Sequence, residues 1–249
     1  MSRLQKELEA LWIEQIEMAN SLENILNQKN DNDDSWISVS DMMTGLMMIF
    51  LFIAIIYIQE VLNTYGEFED VQAKICTELR TEFNEEQKTW NMKICEGGLL
   101  VKFENNENFL PDSKIITERF QLVLNEFYPR FKNILWKYID DVDELRIEGH
   151  ASSEARGKSR KDAYLYNTEL SQGRSYNVMN YVLSLDEIVS NSDFLEWSYE
   201  NLTAHGMSSS EVIMVNNIED RQASRRVEFR IRTKAEDKLI EFVKELDGA

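Results

Sequence analysis

The feature that most limits how this chain can fold is one apolar block near its amino terminus. Ile37 to Ile58 holds about 22 residues, and as an α-helix it spans roughly 33 Å, enough to cross a hydrocarbon core of about 30 Å. From Met42 to Ile58 only Thr44 and Tyr57 carry a polar group. A secretory signal needs basic residues ahead of a shorter apolar core. Here residues 1–35 hold Arg3, Lys6 and Lys29 against Glu7, Glu9, Glu14, Glu17, Glu23, Asp31, Asp33 and Asp34. An uncleaved membrane helix is therefore expected. Lys29 lies on one side of it, Lys74 and Arg80 on the other, so the Lys/Arg bias that usually sets orientation is too weak to do so.

One acid lies inside this stretch. Asp41 sits about one turn from the start of WISVSDMMTGLMMIFLF. An ionised carboxylate at the centre of a membrane helix costs about 2.5–3.5 kcal/mol, and less near the interface. Two readings stay open. Asp41 marks the helix end and the span begins at Met42, which leaves a segment at the short limit for crossing. Alternatively, Asp41 is an ion-carrying carboxylate facing a partner helix or a water path. Thr44 follows at i+3, so its hydroxyl falls on the same helical face.

The remaining chain is water-loving, and the mean hydropathy of -0.42 conceals the block. Lys+Arg 27 against Asp+Glu 45 gives a net charge of -18, which argues against a nucleic-acid binder, because phosphate neutralisation needs a basic face. Hydrophobic residues at 43% and aromatics at 10% are too many for a disordered acidic chain. Ahead of the block, Leu4, Leu8, Leu11, Met18, Leu22 and Ile25 form a heptad-like seam. That seam suits packing on the same protein, self-dimerisation or a partner helix, and residues 27–35 read as a polar, acidic break. After the block, residues 59–93 read as a charged stalk helix with Leu62, Phe68, Val71, Ile75, Leu79 and Phe83 recurring at helical spacing and Gly66 as a break.

Residues 95–233 have the rhythm of an α/β domain. Strands are expected at 97–103, 145–151 and 225–232, where Val227, Phe229 and Ile231 alternate with charged neighbours, and helices at 115–139 and 167–185. No Ser/His/Asp order, phosphate loop or Cys-x-x-Cys pair is present. His150 and His205 lack companions at metal-ligand spacing. No enzyme, catalytic residue, metal site or bound cofactor is expected.

Two resemblances add to this reading. Trp36, Asp41, Met43, Thr44, Met47 and the Phe/Leu run after them resemble the membrane helix of MotB-type stator subunits, with Gly45 where a small Ala is usual. In that family the aspartate carries the ion that drives rotation, so the resemblance implies that role for Asp41, with Thr44 beside it. Separately, LRIEGHA, YNTELSQGRSYNVMNYVL, LTAHGMSSSEV and EDRQASRRVEFRI follow the order of OmpA-like peptidoglycan-binding domains, matching at Gly149, His150, Tyr166, Asn167, Leu170, Ser171, Arg174, Val178, Arg225, Arg226, Val227 and Glu228. In that family an arginine and an aspartate clamp the charged ends of diaminopimelate. The arginine carries over to Arg174, but Ser152 stands where the aspartate is expected, and Glu154 is a candidate replacement. The implied wall-binding set is Tyr166, Asn167, Leu170, Arg174, Ser152 and Arg225. The loop before Tyr166 is basic, with Arg156, Lys158, Arg160 and Lys161.

Together the resemblances imply an α+β chain: a single transmembrane helix with a helical stalk, followed by an OmpA-like α/β sandwich. Residues 1–35 form a cytoplasmic amphipathic helix and acidic linker, 36–59 the membrane helix, 60–94 a periplasmic stalk or plug, 95–235 the wall-binding domain and 236–249 a terminal helix. The protein is then a single-pass inner-membrane homodimer that works with a pentameric MotA- or ZorA-like subunit, binds peptidoglycan and transports H+ or Na+. The acidic amino-terminal helix favours the B subunits of Zorya anti-phage defence systems over flagellar ones, which usually begin with a basic stretch. Cys76 and Cys95, the only cysteines, would then share an oxidising compartment. They would pair within one chain, link two chains, or remain two buried thiols.

Overall fold

The computed structural model describes residues 3–104, 106–110, 112–154 and 157–247. The side chains of Leu4, Leu8, Leu11 and Ile25 in the expected seam, and Arg156 in the basic loop, lie outside the described residues. Helix α1 runs Arg3–Glu82. The polar run 27–35 is helical throughout, so it does not break α1 as expected. It contains no Pro or Gly, and polar residues alone do not remove a backbone donor or strain φ.

By backbone contacts the chain divides into residues 1–60 and 61–249. In the first unit the apolar side chains from Met42 to Ile58 are all exposed, as are Met18 and Leu22. Among the described residues α1 holds one stretch, beginning at Val39, long and apolar enough to cross a membrane, with a mean hydropathy of 2.3.

The second unit begins within α1 and continues through α2 (Glu86–Thr89), β1 (Met92–Ile94), β2 (Leu100–Phe103), α3 (Glu118–Lys137), β3 (Val142–His150), α4 (Arg160–Leu183), α5 (Asp186–Val189), α6 (Ser192–Asn201), β4 (Leu202–Ser208), β5 (Met214–Val215), β6 (Ile218–Glu219), α7 (Arg221–Ser224), β7 (Val227–Thr233) and α8 (Lys234–Asp247), with one 3-10 turn at Asn106–Asn108. The stalk helix therefore ends at Glu82. Met92–Ile94, expected as stalk, is a strand, because Met92 and Ile94 alternate into the core beside Val101 and Phe103.

Five strands form one sheet in the order β1-β2-β7-β3-β4, antiparallel except for the parallel β3–β4 pair, whose crossover is α4 to α6. The alternation in β7 decides its two faces. Val227, Phe229 and Ile231 are buried, and the Phe229 ring lies 5.2, 6.0 and 5.9 Å from Phe127, Tyr128 and Phe131 on α3. On the alternate positions, Glu228, Arg230 and Arg232 stand opposite Glu148, Arg146 and Glu144 of β3. Arg230 Nε lies 3.0 Å from Glu148, and Arg232 Nη1 3.2 Å from Glu144.

The end of α1 belongs to this core. Ile75, Leu79 and Phe83 are fully buried. Arg130 on α3 ties it down, donating from Nε to Glu82 Oε1 at 2.7 Å, from Nη2 to the Glu82 carbonyl at 2.6 Å and from Nη1 to Glu86 Oε1 at 2.6 Å, with its guanidinium over the Phe83 ring. Cys76 and Cys95 form a disulfide within the chain, with Cα atoms 6.0 Å apart, so α1 is also joined covalently to the turn that leads into β2.

Candidate functional site

The carboxy-terminal site is built on a notch in the sheet. Gly149 on β3 is register partner to Gly206 on β4. A Cβ at 149 would lie 2.3 Å from the Ser171 carbonyl oxygen, and one at 206 would lie 2.5 Å from the Gln172 nitrogen. Only two side-chain-free positions let the α4 backbone rest directly on the sheet. The helix is then fixed by polar contacts to the exposed side of β4: Gln172 Nε2 donates to the Ala204 carbonyl at 3.0 Å and the Gly206 N–H donates to Gln172 Oε1 at 2.7 Å. The Ser208 N–H donates to Ser171 Oγ at 3.0 Å. Helix α4 starts at Arg160, ahead of the expected 167, and is capped by the Ser159 side chain. Asn167 is therefore mid-helix and buried, and its Nδ2 donates to the Ser152 carbonyl at 3.0 Å.

One turn beyond Ser171, Arg174 is 8% exposed. Its Nε donates to the Ser113 carbonyl at 3.0 Å, and the guanidinium carbon lies 4.9 Å from the centre of the Phe109 ring. Among the described residues no carboxylate comes within 4.0 Å of it and neither Nη group has an acceptor. Burial, followed by the charge of Arg225, draws its pKa down to about 10, while Asp112 and Tyr166 act in the opposite direction. It therefore stays a cation at neutral pH, with donors left over.

The structure brings the sequence-expected residues together in two groups. On one side, Ser152 is buried, and its hydroxyl accepts from Arg225 Nη1 at 3.3 Å. Glu154 lies 4.0 Å from Arg225 Nη1 and 3.4 Å from Arg221 Nη1. On the other side, Tyr166 and Leu170 line a cleft of about 240 Å³ with Asp112, Ser113, Lys114 and Glu169. Lys158 of the basic loop lies 4.7 Å from the Tyr166 ring centre. The segment Asp112–Lys114, which no motif marks, is held to α4 twice: by Arg174 on Ser113, and by Asn177 Nδ2 on the Lys114 carbonyl at 2.7 Å. Its signal in the sequence was only a Pro-Asp-Ser turn, about 60 residues from the arginine it serves.

The matched His150 and Glu228 lie elsewhere. With Glu148 they form a buried cluster in which both His150 nitrogens lack a hydrogen-bond partner. Glu148 and Glu228 are already neutralised by Arg226, Arg230 and Lys102, so a divalent ion there would meet three cations and two acids. The cluster reads as part of the sheet's charged face.

In the first unit, Asp41 and Thr44 are both exposed. The Thr44 hydroxyl donates to the Ser40 carbonyl at 2.8 Å, so its hydrogen is used within the helix and only its lone pairs face outward.

No protein-family model matches the chain. It is 33% identical over 230 residues, 88% of this chain and 97% of the relative, to the Zorya protein ZorB of Escherichia coli. Similar solved structures include a putative MotB like protein from Desulfovibrio vulgaris, 22% identical, covering 68% of this chain and 95% of that one with a TM-score of 0.48. The cell wall anchor of the T6SS from Pseudomonas aeruginosa is 21% identical over 63% of this chain and 97% of that one, with a TM-score of 0.44. The periplasmic domain of Helicobacter pylori MotB is 23% identical over 63% and 89%, with a TM-score of 0.40.

Proposed function

The chain belongs to the family of the Zorya protein ZorB, and from that premise we propose that it is the wall-anchored B subunit of an ion-driven rotary complex in the bacterial inner membrane, acting in anti-phage defence. The observation that carries this reading is the presence on one chain of a single acid, Asp41, at the start of a membrane-length apolar helix and of a buried arginine, Arg174, with unused donors, bonded to a residue, Ser113, that lines a small cleft. The first suits a carrier of H+ or Na+. The second suits a carboxylate of the cell-wall peptide, which an arginine fork binds with two parallel hydrogen bonds.

In this function two copies of the chain stand at the centre of five multi-span A subunits. A loaded, neutral Asp41 and a discharged, ionised one prefer different contacts on the surrounding ring, so each ion that passes biases the ring towards its next position. Arg174 and its neighbours hold the B dimer to the wall so that the ring turns around it. The amino terminus lies in the cytoplasm and residues 61–249 in the periplasm. The Cys76–Cys95 disulfide supports that orientation, since such bonds persist in the periplasm and are reduced in the cytosol.

The test is a phage challenge of cells that carry the complex with Asp41→Asn. Protection is lost while membrane insertion of the chain is unchanged. Full protection by the variant would leave Asp41 without an ion-carrying role and the helix as a passive tether. Loss of swimming rather than of protection in a deletion strain would instead place the chain in a flagellar motor.

A further inference from the structure

A second guanidinium stands near that of Arg174, and the bonds around it decide what it takes. Ser152 is 3% exposed; Asn167 of α4 holds its carbonyl, and its hydroxyl accepts from Arg225 Nη1 at 3.3 Å. A carboxylate at 152 would spend the charge of Arg225 inside the protein. A hydroxyl braces the same guanidinium and leaves that charge for another partner. Having accepted from Arg225, the hydroxyl keeps its own hydrogen, which has no acceptor among the described residues. Serine and arginine together therefore offer donors, and donors suit an anion.

The nearby acids are already engaged. Glu154 is shared between Arg221 Nη1 at 3.4 Å and Arg225 Nη1 at 4.0 Å, one carboxylate against two guanidiniums. Glu219 turns both oxygens to Ser153, accepting from its N–H at 2.8 Å and from its hydroxyl. In the cleft, Asp112 shares the wall with Lys114. Arg174 feels Arg225 more strongly than it feels Asp112, so the second cation is the leading charge upon it. An anion placed with these two arginines relieves a repulsion, whereas an ammonium adds to it.

We propose that the site reads a dicarboxylate end group. One carboxylate is bound by Arg174 and a second, on the same peptide, by Arg225, with Ser152 as the residue that positions Arg225. Retention on the wall is then indifferent to the free amine of the ligand. This rests on the wall-binding reading above and names the chemistry of the second group that the site recognises.

The test is co-sedimentation of the full-length protein, in detergent, with purified peptidoglycan sacculi at constant ionic strength. Glutarate and γ-aminobutyrate serve as competitors, since they share one chain length and differ in a single end, carboxylate against ammonium. Glutarate releases wild type at a concentration about tenfold lower than γ-aminobutyrate does, the effect of one charge-assisted contact. Acetylation of the free amines of the sacculi leaves retention of wild type unchanged. Arg225→Gln is retained about tenfold less well and no longer distinguishes the two competitors, while Ser152→Ala, which keeps the arginine and loses its brace, falls between Arg225→Gln and wild type. Circular dichroism establishes that each variant is folded; for one that is not, the competition on wild type decides alone. The proposal is overturned if γ-aminobutyrate releases wild type as readily as glutarate, if acetylation lowers retention about tenfold, or if folded Arg225→Gln binds and discriminates like wild type. If wild type is not retained by native sacculi, or Arg174→Ala is retained equally, the wall-binding reading itself fails and the dicarboxylate goes with it.

Discussion

The Cα of Gly149 faces the Ser171 carbonyl so closely that a Cβ would lie 2.3 Å from that oxygen. The contact is between backbones of a central strand and the main helix, and neither can move aside as a side-chain tip can. It sets the height of α4 above the sheet, and with it the positions of Asn167, Arg174 and Asn177.

Gly149→Ala is therefore expected to destabilise the carboxy-terminal unit by about 1–3 kcal/mol, the usual cost of forcing a methyl group into a filled space. Chemical denaturation of the full chain followed by tryptophan fluorescence measures this. Retention on sacculi falls with it, because α4 must rise to admit the methyl group. Unchanged stability would mean that α4 is free to shift.

Arg174 supplies both a scaffold bond and a charge. Arg174→Lys keeps the charge but loses the planar fork and the Nε bond to Ser113, so it is expected to recover only part of the binding that Arg174→Ala loses. Sacculus co-sedimentation of the three proteins separates the two contributions. Equal binding by lysine and arginine would reduce the role of position 174 to its charge.

The disulfide closes a loop over a sequence separation of 19 residues. Cys76→Ser with Cys95→Ser should lower stability by about 3 kcal/mol, chiefly by freeing the unfolded chain. Denaturation with and without reductant reads this, and the double variant should be indifferent to reductant. A thiol reagent that cannot cross membranes, applied to intact spheroplasts after reduction, labels the wild type if residues 61–249 are periplasmic.

Glu78 gives the contact between α1 and α3 a pH dependence. Hydrogen bonds from Lys137 Nζ at 2.5 Å and the Tyr138 hydroxyl at 2.6 Å hold its carboxyl below the ordinary value of 4.5. The same carboxylate pushes the Tyr138 hydroxyl up to about 12. A lowered folded-state pKa stabilises fully above the unfolded value and is lost as pH falls through the folded one. The melting temperature should therefore fall as pH drops below about 4.5, and Glu78→Gln should flatten that fall. An unchanged acid limb in the variant would assign it to other carboxylates.

Local sequence determined a good deal of this protein. An apolar run of membrane length, the single acid at Asp41 and the alternation of Val227, Phe229 and Ile231 are properties of neighbouring residues, and burial follows from them through helical and strand periods. The motif around Arg174 was legible only through its resemblance to OmpA-like domains, and it survives as a local pattern because Tyr166, Asn167, Leu170 and Arg174 share one helix. The tertiary structure decided the rest. Met92–Ile94 is a strand because β2 offers it a partner, not because three residues dictate one. The segment Asp112–Lys114 meets Arg174 and Asn177 only because α4, seated on Gly149 and Gly206, presents its side chains to a loop about 60 residues earlier in the chain. A contact made across space leaves no mark on the residues beside it in sequence, and so the loop that Arg174 holds was decided only by the folded chain.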